Sequence, residues 1–293
     1  MRQREVFKGK LNGNPNGFVE SVHPTYDGVK KFPVLFWLNG LGETGDGGDK
    51  ALDKINRNIV QWLSVSDEHF LVIAPQDPTG YGKMTPFIRW ALQHYAPVID
   101  RGSMHLAGLS AGGYQIADMI NEDPEFLKDF STITPMGTNF DRVTKEAIQR
   151  LADYGIAFWG HAGEKDGDPN APGALARFFA KLQAISKKPA LLSVYAGMGH
   201  SAWNETFDGS GKPAREIPAD TLQGAQLFKW VDKPASWWQW MLDNAKGGAE
   251  QPEEPEEPGE IKLPVRDAYY DLKAEAMVFT FDSGKFIMPG KLS

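Results

Sequence analysis

Short, mainly apolar runs of three to six residues recur along this chain with amphipathic stretches between them. That alternation is what most restricts its fold. Pro33-Val34-Leu35-Phe36-Trp37-Leu38 carries no polar residue, as a strand buried on both faces requires. Phe70–Ala74, Met104–Ala107, Thr132–Thr134, Ile156–Trp159 and Leu191–Tyr195 repeat the pattern. Helical periodicity fills the gaps, over about 53–65, 85–99, 111–121, 142–153, 173–186 and 221–245. Strands alternating with helices imply a mostly parallel sheet covered by helices on both faces, an α/β fold. Chemistry in such sheets is sought in the loops after the strands.

Residues 1–246 are expected to form this domain. From Gly247 to Glu260 there is no apolar residue larger than alanine, and prolines alternate with glutamates, which predicts an extended linker. Residues 261–293 are expected to form a small β-rich tail. Met277–Phe281 and Lys285–Met288 flank Asp282-Ser283-Gly284 as the two arms of a hairpin would. A lone hairpin is marginal in water, so the tail is expected to dock on the first domain, on a second copy of the chain or on a partner, which makes self-association or assembly through it one expectation.

The chain has 293 residues and a formal net charge of −7. Six glutamates lie in the linker, so residues 1–246 are near neutral. Nothing there reads as a basic footprint for nucleic acid or a polybasic membrane patch. No cysteine is present, which excludes disulfides, a thiol nucleophile and a Cys-based zinc site; neither a metal nor a cofactor is expected. No apolar run reaches 18 residues, and none follows Met1-Arg2-Gln3-Arg4 as a secretory signal would. A cytoplasmic location is the default expectation, with secreted or virion-associated placement also compatible.

The sharpest chemical signal is Gly108-Leu109-Ser110-Ala111-Gly112, between an expected strand and an expected helix. In that context Gly-x-Ser-x-Gly reads as a nucleophile elbow, with Ser110 raised above the sheet and glycines where a Cβ would crowd the turn. The competing reading is a helix-capping serine. A serine hydroxyl needs a base. Two histidines follow Ser110, and His200, in a Gly-rich loop past the last strand, fits better than His161 at the end of a strand. His105 reads as a hydrogen-bonded core residue and His94 as a helix-surface one. Glu164, Asp166 and Asp168 all follow the His161 strand and qualify as the acid that orients the base, with Asp141 outside them. The amide of Ala111 and one from the Gly-rich loop 38–48 would supply an oxyanion hole.

With those residues in place, residues 30–246 resemble the α/β-hydrolase esterases related to polyhydroxybutyrate depolymerases, to feruloyl and acetylxylan esterases, and to the predicted peptidases grouped with them. The resemblance rests on Leu38-Asn39-Gly40-Leu41-Gly42-Glu43, Ala74-Pro75-Gln76, Gly108–Gly113, Gly163-Glu164-Lys165-Asp166 and Gly199-His200-Ser201-Ala202-Trp203. It implies Asp166 as the acid and Leu41 as the second oxyanion donor, although Asn39 stands where that family usually has histidine. It also implies that Trp203 and Gly40 border the substrate, with packing in the core as the competing reading for Trp203. The expected activity is cofactor-independent cleavage of a carboxylic ester, on a small molecule or a glycan carrying acetyl or feruloyl groups. A serine peptidase of the same fold and an inactive binding module within a larger assembly are the alternatives.

Overall fold

A computed structural model describes residues 17–21, 31–55, 70–167, 169–170, 172–188, 190–201, 203–207 and 236–247, together with the backbone of three strands between 267 and 289. Two compact units divide the chain, Met1–Ala249 and Glu250–Ser293.

The first unit is built on β1 (Gly17–Ser21), β2 (Phe32–Leu38), β3 (Leu71–Gln76), β4 (Ile99–Leu109), β5 (Thr132–Met136), β6 (Ala157–Gly163) and β7 (Ala190–Tyr195). Their order in the sheet is β1-β3-β2-β4-β5-β6-β7. All neighbours pair in parallel except the edge strand β1, which runs antiparallel to β3. The apolar runs are continuous because both faces are covered. Val34, Phe36 and Leu38 enter one core cluster, with Leu106, Ile133 and Phe158 of the neighbouring strands. Leu35 and Trp37 enter the other, with Val72, Ala107 and Trp159. Successive side chains of a strand point to opposite faces, so each run feeds two cores.

The first cluster is closed by α2 (Thr85–His94), α3 (Ala111–Glu122), α4 (Lys145–Asp153) and α5 (Pro172–Gln183). The second is closed by α1 (Asp49–Ile55) and α7 (Trp237–Asp243), with the one-turn α6 (Asn204–Phe207) beside them. Helix α4 shows how the sequence sets its own limits. The Thr144 hydroxyl caps it by accepting from the Ala147 amide (3.2 Å), and Gly155 ends it at φ +64°. Helix α7 is pinned by three tryptophans. Trp237, Trp238 and Trp240 are buried, and the Trp237 indole N–H donates to the Thr134 hydroxyl at 3.1 Å. Removing one such indole typically costs about 3–5 kcal/mol.

Several expected boundaries moved. The helix expected over 85–99 stops at His94, because Pro97 disfavours helical backbone at the residue before it. Ile99 instead begins β4, which runs through the polar residues Asp100-Arg101-Gly102 and so escaped a search for apolar runs. Strand β1 was missed for the same reason: Gly-Phe-Val-Glu-Ser is short and mixed. Most of the helix expected over 53–65 and most of that over 221–245 lie outside the described residues, as does the linker after Gly247. Gly247 itself, expected to open the linker, donates its amide to the Gly102 carbonyl at 3.1 Å.

In the second unit β8 (Asp267–Asp271), β9 (Ala276–Phe281) and β10 (Gly284–Pro289) form an antiparallel sheet in the order β10-β9-β8. Strands β9 and β10 pair as a hairpin, Phe279 opposite Phe286. The third strand, β8, was not expected from the sequence.

Candidate active site

The candidate residues sit at the carboxyl ends of parallel strands. Ser110 follows β4, Asp166 follows β6, His200 follows β7, and Leu41 follows β2. Ser110 has φ 51° and ψ −115°, the one positive φ of a non-glycine among the described residues. Its flanks explain why the strain is held. A Cβ on Gly108 would lie 2.7 Å from the Gly112 backbone, and one on Gly112 would lie 2.1 Å from the Leu38 carbonyl oxygen. Strand, turn and helix pass so closely that only glycine fits at both places. Strain kept by close packing is typical of reactive positions.

Ser110 stands at the N-cap of α3 yet makes no side-chain capping bond. Its Oγ instead lies 2.9 Å from His200 Nε2. On the other side of the ring, His200 Nδ1 lies 2.9 Å from Asp166 Oδ2. The helix-capping alternative thus lacks its defining bond. The imidazole is held in a Gly-rich cradle. A Cβ on Gly163 would strike the Gly199 carbonyl at 2.0 Å, and Gly137 (φ +51°) passes beneath the ring and the Asp166 carboxylate.

The other candidates are engaged elsewhere. His161 is buried with Nδ1 3.0 Å from the Tyr195 hydroxyl. His105 is buried between the Ser103 and Thr132 hydroxyls, 2.9 Å from each, and burial lowers its pKa to about 3, so it stays neutral. His94 stacks on Trp90 at the end of α2. Asp141 takes a forked bond from Arg177, and Glu164 accepts the Gly197 amide at 2.7 Å. Asp168, His23 and His69 lie outside the described residues.

The hydrogen bond from His200 to Asp166 raises the histidine pKa above its ordinary 6.5, with the carboxylate charge adding to it and burial opposing it. A neutral imidazole is needed to take a proton. The acid limb of kcat/KM is therefore expected to inflect above pH 6.5, on the free-enzyme form. Because the folded pKa is raised, the charged pair stabilises the fold below pH 6.5 and that contribution fades as pH rises through the shifted value. Activity should grow where that stability fades. A rate profile inflecting below 6.5 would mean that Asp166 does not govern the imidazole.

Ala111 and Leu41, the expected oxyanion donors, both line the cavity at Ser110. Ala111 opens α3 and Leu41 opens a 3-10 turn (Leu41–Glu43), so neither N–H has an acceptor inside its own helix. The 12-residue α3 also directs its positive end at Ser110. The Leu41 loop is tied down by buried groups. Glu43 accepts the Gly40 amide at 3.0 Å, and Gln76 donates to the Glu43 carbonyl at 2.8 Å and accepts from Gly47 at 2.9 Å. Gly40 lies against the elbow, where a Cβ would meet Leu109 at 2.3 Å and Ser110 Cβ at 3.4 Å.

Ser110 and His200 open onto a cavity of about 810 Å³. Leu41 and Ala111 line it beside them; Tyr81, Tyr114, Asn139 and Asn170 line the remaining wall with Asp141, Arg142 and Pro169. Gly40 and Trp203 are not among the lining residues. Trp203 is half-buried, packs on the second core cluster, and meets the His200 ring edge-on at 5.3 Å. The Tyr114 hydroxyl donates to Asn170 at 3.0 Å, and burial raises its pKa, which keeps it a donor. Leu41 and Tyr81 are two of the three large exposed apolar residues among those described. Sequence reasoning overlooked this wall. Tyr114 lies four residues after Ser110, one helical turn on, and so could have been found by spacing. Asn139 and Asn170 come from loops of no distinctive composition.

The cradle gives a direct test of how His200 is held. Gly163→Ala should force the Gly199 backbone away and cost about 1–3 kcal/mol. A chain of this size should then melt several degrees lower. Activity should fall with it, as the imidazole moves off Ser110. A variant with wild-type melting and turnover would show that the loop adjusts freely.

No protein-family model matches the sequence, and no curated protein is significantly similar to it. Among solved structures, a thermostable esterase aligns at a TM-score of 0.53 with 21% identity, over 70% of this chain. The alignment spans 59% of that esterase's length. Thermogutta terrifontis esterase 2, from a Planctomycetes species, aligns in its propionate-bound form at 0.51 with 14% identity, covering 71% of this chain and 92% of its own. Its cyclosarin-phosphonylated form aligns at 0.50 with 12% identity, covering 71% and 91%. At such identities the likeness speaks to architecture: this chain has the α/β-hydrolase fold.

Proposed function

We propose that the chain is a serine esterase that cleaves carboxylic esters through an acyl-enzyme. The observation that carries this reading is the unbroken Ser110–His200–Asp166 relay, 2.9 Å at each step, with Ser110 on a strained turn. In the proposed cycle Ser110 Oγ attacks the ester carbonyl carbon while His200 Nε2 takes its proton. The Leu41 and Ala111 amides hold the oxyanion. Collapse breaks the carbon–alkoxide bond, and His200 returns its proton to the departing alkoxide. A water then attacks the acyl-enzyme, again giving its proton to His200. Collapse releases the acid and restores the Ser110 hydroxyl. Asp166 keeps the imidazole oriented and stabilises its charged form.

A glycan carrying acetyl or feruloyl esters is the favoured substrate. The sequence resemblance points to it. The open cavity supports it too, since exposed Tyr81 and Leu41 suit the apolar face of a sugar or phenolic ring, and Asn139, Asn170 and Tyr114 suit hydroxyls. The structural neighbours include one esterase, Thermogutta terrifontis esterase 2, both with propionate bound and phosphonylated by cyclosarin. A fluorophosphonate should therefore label Ser110, which separates an active hydrolase from an inactive binding module. The deciding experiment is a panel of p-nitrophenyl acyl esters beside acetylated and feruloylated glycans. Turnover of peptides but of no ester would replace this reading with a peptidase.

A further inference from the structure

Asp77 follows β3, next to the strand that leads into the Leu41 loop, and takes no part in the cycle above. Its residue is 1% exposed. Its carboxylate accepts from Gln115 Nε2 at 2.6 Å, from the Gly82 amide at 2.6 Å, and from the Thr79 amide at 3.0 Å and hydroxyl at 3.1 Å. Its own amide donates to Asn39 Oδ1 at 3.3 Å, and Asn39 Nδ2 donates to the Gly40 carbonyl at 3.0 Å. One residue therefore joins three parts of the site. Gln115 belongs to α3, which begins just after Ser110. Gly82 belongs to the loop that brings Tyr81 to the cavity wall. Asn39 adjoins the loop that carries Leu41, the proposed oxyanion donor.

Two further observations make this more than a local turn. Gly80 (φ +80°) lies under the Leu41 side chain, whose Cδ2 is 2.5 Å from where a Cβ would be, so the Asp77 loop also braces Leu41 directly. Gln115 is 3% exposed, and its Oε1 has no hydrogen-bond partner among the described residues. A buried amide left half-satisfied is costly for stability. Among the described residues its side chain bonds to Asp77, an arrangement better suited to fixing a position than to stabilising a core.

We infer that Asp77 is a positioning residue: through Asn39 and Gln115 it fixes the Leu41 amide relative to Ser110. The inference rests on the esterase reading. Oxyanion donors act on the transition state far more than on bound substrate, so loosening this brace should lower kcat and leave KM nearly unchanged.

The test uses the full chain with p-nitrophenyl acetate as substrate and phenylboronic acid, which forms a tetrahedral adduct on a reactive serine, as ligand. Asp77→Asn, Asn39→Ala, the double variant and Gln115→Met are compared with wild type for kcat, KM, boronate affinity and melting temperature. Gln115→Met keeps the volume and removes only the bond, so it carries the test if Asp77→Asn fails to fold. The expected result is a fall in kcat of roughly 10–100-fold, somewhat less than loss of a whole oxyanion donor, with KM within about threefold. Boronate affinity should weaken in parallel. The double variant should be no worse than the worse single, because both act through one loop. Folded variants that keep kcat within twofold of an active wild type overturn the inference and leave the esterase reading standing. So does a double variant whose losses simply add. A wild-type chain that neither hydrolyses an ester nor binds the boronate removes the esterase reading and this inference with it.

Discussion

Ser110→Ala is expected to lower kcat for ester hydrolysis by about a millionfold, the scale on which a triad nucleophile acts. The fold should survive, because the Ser110 side chain makes no capping bond and its backbone amide keeps its bond to the Met136 carbonyl at 2.8 Å. His200→Ala should cost about as much, and the double variant no more than either single. A nucleophile without its base and a base without its nucleophile are equally idle. Residual turnover should come from the Leu41 and Ala111 amides alone, which still favour the oxyanion when water attacks. Turnover by purified Ser110→Ala above a tenth of wild type, with an unchanged melting curve, would show that Ser110 is not the nucleophile.

Asp166→Asn is expected to cost about ten-thousandfold in kcat at nearly constant fold. The physical cause is the tautomer. Asp166 accepts a hydrogen bond from the Nδ1–H of His200, which keeps the ring proton there and leaves Nε2 bare to take the Ser110 proton at 2.9 Å. An asparagine can turn its NH2 toward Nδ1, which then becomes the acceptor and places the ring proton on Nε2, facing Ser110. Asp141→Asn is the control. Asp141 is held by Arg177 and follows a different strand; it lines the cavity wall, so its loss should act on KM and change kcat by less than a few-fold. If Asp141→Asn proves the damaging change and Asp166→Asn the mild one, the relay is drawn through the wrong carboxylate.

The sequence was informative wherever a local rule decides the outcome. Six apolar runs marked six parallel strands, because a strand buried on both faces cannot carry polar side chains without losing their hydration. Gly108 and Gly112 marked the elbow, because a Cβ at either would strike backbone within 3 Å. Ordering along the chain put Ser110, an acid after β6 and His200 at the carboxyl ends of three parallel strands, β4, β6 and β7, and so on one edge of the sheet. It left the acid open among Glu164, Asp166 and Asp168, since residues within one turn share composition and differ only in direction. Tertiary structure separates Glu164 from Asp166. The Gly163 backbone packs on Gly199, which swings His200 over Asp166 and leaves Glu164 to the Gly197 amide. The same holds for the cavity wall and for the Asp77 brace. Asp77 and Gln115 are 38 residues apart, and Asn39 lies a further 38 before Asp77. No periodicity joins such positions. Only the parallel sheet, setting β2, β3 and β4 side by side, brings their following loops within hydrogen-bonding distance.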